Sequence, residues 1–164
     1  HSDVDVQTST EYSGFIRENK NIAQKTVFTG MIDEFFDYCY GSLEYRSLRF
    51  ETETLDCTDY QGCAVVNYTN REVPYTRIIE HKHFEFGTQP RTVISREYPT
   101  EWLPGAEPYY PVNSAENNAL FERYLKLAES RSDVVFGGRL GTYAYLDMDK
   151  VVASALSVAH MELN

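Results

Sequence analysis

The stretch Val134-Val135-Phe136-Gly137-Gly138-Arg139-Leu140-Gly141-Thr142-Tyr143-Ala144-Tyr145-Leu146-Asp147-Met148-Asp149-Lys150-Val151 decides the fold. It opens as a short apolar run ending at two glycines, the pattern of a buried strand whose end passes close to something. It closes in a helix. Met148, Val151, Val152, Ala155, Leu156 and Ala159 recur at i, i+3, i+4, i+7, i+8 and i+11, a single apolar stripe. Asp147 stands just before that stripe, where a side-chain oxygen can cap the first free N–H groups. The order is therefore strand, Gly-Gly-Arg, tyrosine-rich loop, capped helix. Such a helix start offers unpaired donors and a partial positive charge to an electron-rich group, and Arg139 adds a full charge beside it. The same residues also spell an ordinary strand-to-helix turn with a surface arginine.

Working outward, residues 115–131 carry Leu120, Phe121, Tyr124, Leu125 and Ala128 at helical spacing, with a capping box expected from Asn113 and Glu116. Residues 99–111 are rich in proline, which stiffens Tyr109-Tyr110. Between 43 and 100 the pattern has period two. Strands are expected at 45–54, 63–69, 75–86 and 92–98, with turn signals at 56–62, 70–74 and 87–90. Short connections imply antiparallel neighbours. Nearer the start, the pattern predicts a strand at 4–8, a weak helix at 11–22, a buried strand at 26–30 and a helix at 32–40 with Gly41 as its C-cap. The expected fold class is α/β (α+β): an α/β layer in two pieces, 1–42 and 112–164, with an antiparallel sheet, 43–111, inserted between them.

Composition narrows the partners. A chain of 164 residues typically buries about 70% of its unfolded surface, enough for a real core. Thirteen tyrosines supply flat apolar faces with hydroxyl tips, which suit sugar and nucleotide contacts as well as interfaces. The net charge of −10 argues against nucleic-acid or anionic-membrane binding. The charge is uneven, however. Residues 1–60 hold twelve acids and five bases, and residues 61–100 hold four acids and five bases, so an anionic ligand is expected to meet the middle of the chain. Cys39, Cys57 and Cys63 form no CxxC pair and signal neither a disulfide framework nor a zinc site. Scattered thiols suit a reducing cytoplasm.

Three constellations are candidates for chemistry. In the hairpin 67–77, Glu72 lies at the centre, so Asn67 and Arg77 are predicted to oppose each other on one sheet face. An amide beside a guanidinium suits phosphate or carboxylate, because arginine forks onto two oxygens; a solvated surface pair is the alternative. His81 and His83 are expected to share a face, but no third metal ligand is evident, and no metal site is assigned. Tyr110 can point its hydroxyl at a ligand or pack as a corner. No GxGxxG, P-loop, GxSxG or HExxH occurs in the chain.

Taken jointly, Tyr75-Thr76-Arg77-Ile78-Ile79-Glu80-His81-Lys82-His83-Phe84, Glu107-Pro108-Tyr109-Tyr110-Pro111-Val112, Gly137-Gly138-Arg139-Leu140 and Tyr145-Leu146-Asp147-Met148 resemble UDP-galactopyranose mutase of the bacterial type. Thr29-Gly30, Ile32-Asp33-Glu34-Phe35-Phe36-Asp37 and Leu43-Glu44-Tyr45-Arg46-Ser47-Leu48 carry the same likeness, which runs from about residue 26 to 156. The resemblance implies an FAD-dependent isomerase that interconverts UDP-galactopyranose and UDP-galactofuranose through a reduced-flavin covalent adduct, in the cytoplasm, for cell-surface polysaccharide synthesis. It implies that Arg77 holds the substrate diphosphate with Tyr110 and Tyr145, that Asn67 lines the same cleft, and that Asp147 lies near the sugar. It implies flavin contacts from Gly138, Arg139, Asp147, Met148 and Val151. Arg46 matches a family arginine whose partner the sequence does not reveal.

The family's glycine-loop FAD segment and a helical insert with a second diphosphate arginine have no counterpart in these residues. The chain is therefore expected to be a C-terminal portion, inactive alone and self-associating as a homo-oligomer. Two other classes stay open at this point: a nucleotide-sugar binding module without flavin chemistry, and an assembly domain whose aromatics form an interface.

Overall fold

The computed structural model describes residues 4–19 and 22–163. It has mixed α and β structure in two units, one made of residues 1–43 with 113–164 and the other of residues 44–112.

In the first unit, helix α1 (Tyr12–Glu18) precedes strand β1 (Thr26–Phe28), which is followed by helix α2 (Ile32–Phe35). Residues 4–8 form no strand and are exposed, so alternation alone did not suffice where no neighbour pairs with it. Residues 20–21, inside the weak helix expected at 11–22, lie outside the described residues. The helix expected to reach Tyr40 stops at Phe35, because Asp37 and Tyr38 turn to positive φ (50° and 52°) and the Tyr38 N–H closes onto the Asp33 carbonyl at 2.8 Å. The Asp33 carboxylate, fully buried, accepts from the Leu43 N–H at 2.8 Å and so turns the chain back.

The second unit is a five-stranded sheet. It comprises β2 (Tyr45–Leu55), β3 (Val65–Asn67), β4 (Arg77–Glu80), β5 (Thr92–Glu101) and β6 (Tyr110–Pro111) in the order β3-β4-β5-β2-β6. Every pairing in it is antiparallel. The strand expected over 75–86 ends at Glu80, and His81–Glu85 wind into a 3-10 turn closed by Phe86 in the left-handed region. Ile78 and Ile94, both fully buried, mark one face of this sheet, and Tyr45 packs on Trp102 at 5.6 Å between ring centroids.

The chain then returns to the first unit with helix α3 (Ala115–Glu129), strand β7 (Val134–Phe136), the four-residue helix α4 (Gly138–Gly141) and helix α5 (Met148–Leu163). The cap of α3 is Ser114, whose hydroxyl accepts from the Asn117 N–H at 3.1 Å. Asn113, expected to cap it, donates instead to the Tyr143 carbonyl and to Asn118. β7 lies parallel to β1, pairing Thr26 with Val134 and Phe28 with Phe136. β1 is less buried than expected, with Val27 65% exposed.

Aromatic rings make this unit's core. Tyr12, Phe28, Phe35, Phe36 and Phe136 contact one another at centroid distances of 4.9–6.1 Å. Such pairs contribute about 0.5–1.5 kcal/mol each beyond area burial. Tyr124 is fully buried beside them, donating its hydroxyl to the Gly41 carbonyl at 2.6 Å and accepting from the Tyr40 N–H.

Candidate functional site

Register decides which side chains of the sheet share a face, because residues directly opposite in an antiparallel pair point the same way. Asn67 pairs with Arg77, as the hairpin centre predicted, and Arg77 pairs with Glu97, which pairs with Phe50. Arg46 pairs with Tyr110 two strand positions further along the same face of β2 and its neighbour β6. Asn67, Arg77, Glu97, Phe50, Arg46 and Tyr110 therefore lie on one side of the sheet.

Arg77 is braced there. Its Nε donates to Asn67 Oδ1 at 3.0 Å, and its Nη1 stands 3.6 Å from Glu97 Oε2. Glu97 is itself nearly buried and accepts from the Thr76 hydroxyl at 3.2 Å. The Arg77 side chain remains 38% exposed, so a fixed guanidinium reaches solvent and can fork onto two oxygens. Glu97 was missed in the sequence, where only the β4–β5 register would have found it.

The opposite face differs. Its arginines, Arg49 and Arg96, are paired with Glu51 and Glu53, Arg49 stacks 4.0 Å over the Tyr98 ring, and the Tyr98 hydroxyl donates to Glu51. The Tyr98 hydroxyl and the Arg49 hydrogen bond hold the Glu51 carboxyl below the ordinary range. That face joins these paired charges to the buried Ile78 and Ile94.

His81 and His83 do not share a face. The 3-10 turn sends His81 Nε2 to the Ser95 hydroxyl at 2.7 Å and His83 Nε2 toward Glu80, 3.2 Å away.

In the other unit, the predicted cofactor residues cluster where β7 runs into α4 and α5. Gly138 has φ +69°, and a Cβ there would stand 3.4 Å from Thr29 Cβ. A Cβ on Gly141 would meet the Phe28 carbonyl at 3.0 Å. The close approach read from the glycines is thus to the end of β1. Gly137 differs, since a Cβ there would meet nothing within 4 Å. Arg139 is not a loose surface charge. Its Nε donates to the Leu146 carbonyl at 2.5 Å, and its guanidinium lies 5.7 Å from the Tyr145 ring. It ties the loop after α4 to the start of α5.

Asp147 stands at that start: its carbonyl accepts the Val151 N–H at 3.0 Å, so the N–H groups of Met148, Asp149 and Lys150 precede the first such bond. Tyr145 and Met148 are exposed, and Val151 is half-buried. Val151 also lines a cavity of about 340 Å³ with Val27, Val135, Gly137, Gly138 and Ala155. The stripe read from sequence is only partly used, because Met148, Val152 and Leu156 are 82%, 57% and 67% exposed. Among the described residues, no helix is long and apolar enough to cross a membrane.

A braced arginine on an open sheet face and a glycine-to-helix junction, whose first N–H groups precede the first intrahelical bond, both suit anionic or electron-rich ligands. Residues 1–145 match the UDP-galactopyranose mutase family, and the chain belongs to it. A probable UDP-galactopyranose mutase of Klebsiella pneumoniae is 42% identical over 160 residues, which is 97% of this chain and 41% of that protein. A dTDP-fucopyranose mutase of Escherichia coli is 39% identical over 82% of this chain and 36% of its own length. UDP-galactopyranose mutase of Mycoplasma pneumoniae is 39% identical over 88% of the chain and 38% of its length. The chain spans about two fifths of the curated relatives it matches.

Proposed function

We propose that this chain is part of a flavin-dependent isomerase that interconverts UDP-galactopyranose and UDP-galactofuranose. Arg77 receives the diphosphate, held in position by Asn67, with the Tyr110 hydroxyl as a further donor. The observation that carries this reading is the braced, solvent-reaching guanidinium of Arg77, on the face of the sheet that lacks the Arg49–Glu51 and Arg96–Glu53 pairs.

The residues present fit FAD at one end. Gly138, Arg139, Asp147, Met148 and Val151 would hold it, with open space at Gly137 and, at the start of α5, N–H groups that precede the first intrahelical bond. Bound there in its reduced form, FAD would supply the nucleophile, which no side chain assigned here provides. The chain's own residues bind, orient and balance charge. Arg139 keeps the 142–147 loop in place, and Arg77 stabilises the negative charge of the UDP group as it separates from the sugar. The three free thiols suit a reducing compartment.

The 164 residues contain no glycine-rich loop for the pyrophosphate of FAD, so the chain alone is expected to hold FAD weakly and to be silent. The exposed apolar residues of α5 favour self-association. The test adds FAD and dithionite to the purified chain, removes free flavin, and assays UDP-galactofuranose conversion alongside UDP binding. The expected result is no retained flavin, no conversion, and saturable UDP binding that Arg77→Ala weakens. Retained yellow flavin or turnover contradicts the expected inactivity; UDP affinity unchanged by Arg77→Ala removes Arg77 from the site.

A further inference from the structure

Asp59, Glu80 and His83 converge where the turn after β2 meets the end of β4. Their ligand atoms all lie within 4.8 Å of one another. His83 Nε2 stands 3.2 Å from Glu80 Oε2 and 3.5 Å from Asp59 Oδ1. Despite those distances, Nε2 is shut off from solvent and makes no aligned hydrogen bond. A nitrogen that faces two carboxylate oxygens without pointing at either is placed as a metal ligand would be. The spacing agrees: donor atoms around a tetrahedral zinc ion at about 2.0–2.2 Å stand roughly 3.3–3.6 Å apart.

The surroundings agree as well. Glu80 is held for the purpose by donors on its other sides: the Thr92 hydroxyl at 2.6 Å and the Tyr60 and Gln61 amides at 3.0 and 2.9 Å. The adjacent cation, Lys82, is buried and committed to the carbonyls of Thr58 and Gln89, each at 2.6 Å. Two carboxyl groups and an imidazole are a donor set that suits a divalent cation of the zinc type. The chain order Asp59…Glu80…His83 has no spacing that signals a zinc site, which explains why sequence alone gave none.

We propose that Asp59, Glu80 and His83 form a three-ligand site for a divalent cation of the zinc type, its fourth position open to water. The cation clamps the turn at 56–62 to the end of β4, the strand that begins with Arg77. The site stands independently of the flavin reading.

The test titrates Zn²⁺ alone, and Co²⁺ as a spectroscopic probe, into the chelator-treated chain. One ion per chain is expected, with cobalt bands of tetrahedral intensity. Asp59→Asn keeps the carbonyl oxygen that the Gly62 N–H requires, so this variant retains the turn. It and His83→Gln should each weaken binding by at least about tenfold. Cys57→Ser/Cys63→Ser, which removes the thiols flanking the turn, should bind as before. Absence of binding at micromolar zinc overturns the proposal. So does binding that survives His83→Gln or disappears with the two cysteines.

Discussion

The two units reach their folds by different means. In the sheet, β2 and β5 pair over ten consecutive positions, and the registers of the sheet settle both faces: Arg77 with Asn67 on one through β3 and β4, Arg49 and Arg96 with their glutamates on the other. In the split unit, β1 and β7 pair over three positions more than a hundred residues apart in sequence, and α5 has no buried residue among those described. One unit satisfies its own faces. The other carries an apolar helix stripe that stays largely on the surface. A hydrophobic pattern therefore reports that a face is to be covered, and only the partners within reach decide whether it is.

The largest expected effect lies in the sheet. Glu80→Ala removes a buried carboxylate that accepts from Thr92 and from the Tyr60 and Gln61 amides. It should cost roughly 3–5 kcal/mol, because the buried Thr92 hydroxyl and two part-buried amides lose their acceptor together, each worth about 1–3 kcal/mol. Urea unfolding of the chain measures it, and a loss below 1 kcal/mol would show that the network matters little.

The comparison sharpens with a matched pair of truncations. Ile94→Ala, at a fully buried position of the sheet, should cost about 2–5 kcal/mol. Leu156→Ala, 67% exposed on α5, should stay within about 0.5 kcal/mol. Similar losses in the two would mean that α5 is covered in solution.

Next comes ligand affinity. Arg77→Ala should weaken UDP binding about ten- to a hundredfold, the worth of one charge-assisted hydrogen bond to phosphate. Arg91→Ala should leave it unchanged, because Arg91 is exposed and pairs with exposed Asp56, Nε to Oδ1 at 2.5 Å. Calorimetric titration distinguishes the two.

The smallest effect belongs to Asp133 of the split unit, whose carboxylate is gripped by Arg131 and titrates at about 2. An ordinary aspartate titrates near about 3.9. Its folded-state pKa is depressed, so its stabilisation is present above about pH 4 and is lost as pH falls toward 2. A carboxylate shift in NMR followed against pH should show that midpoint, and one near 4 would mean the pair does not hold in solution.

Much of this was legible in the sequence, for particular reasons. The hairpin centred on Glu72 gave the Asn67–Arg77 pairing because a short connection leaves little choice of register. The strand, glycines and helix of residues 134–163 were likewise in place, since each follows from local pattern. What escaped was long-range or set by single backbone angles. Asp37 and Tyr38 turning left-handed ended α2 early, and the 3-10 turn at His81–Glu85 separated two histidines that period-two spacing had put together. Ser114 displaced Asn113 as cap because Asn113 was drawn to Tyr143, thirty residues on. Glu97 came beside Arg77 only through the register across β4 and β5.

The choice of sheet face is tested most directly by following the side-chain NMR signals of this chain during a UDP titration. The account predicts that Arg77 Nε, the Asn67 amide and the Tyr110 ring shift together and saturate, while Arg49, Arg96 and Tyr98 on the opposite face stay still. Shifts confined to Arg49 and Arg96, or saturation with Arg77 unmoved, would contradict it.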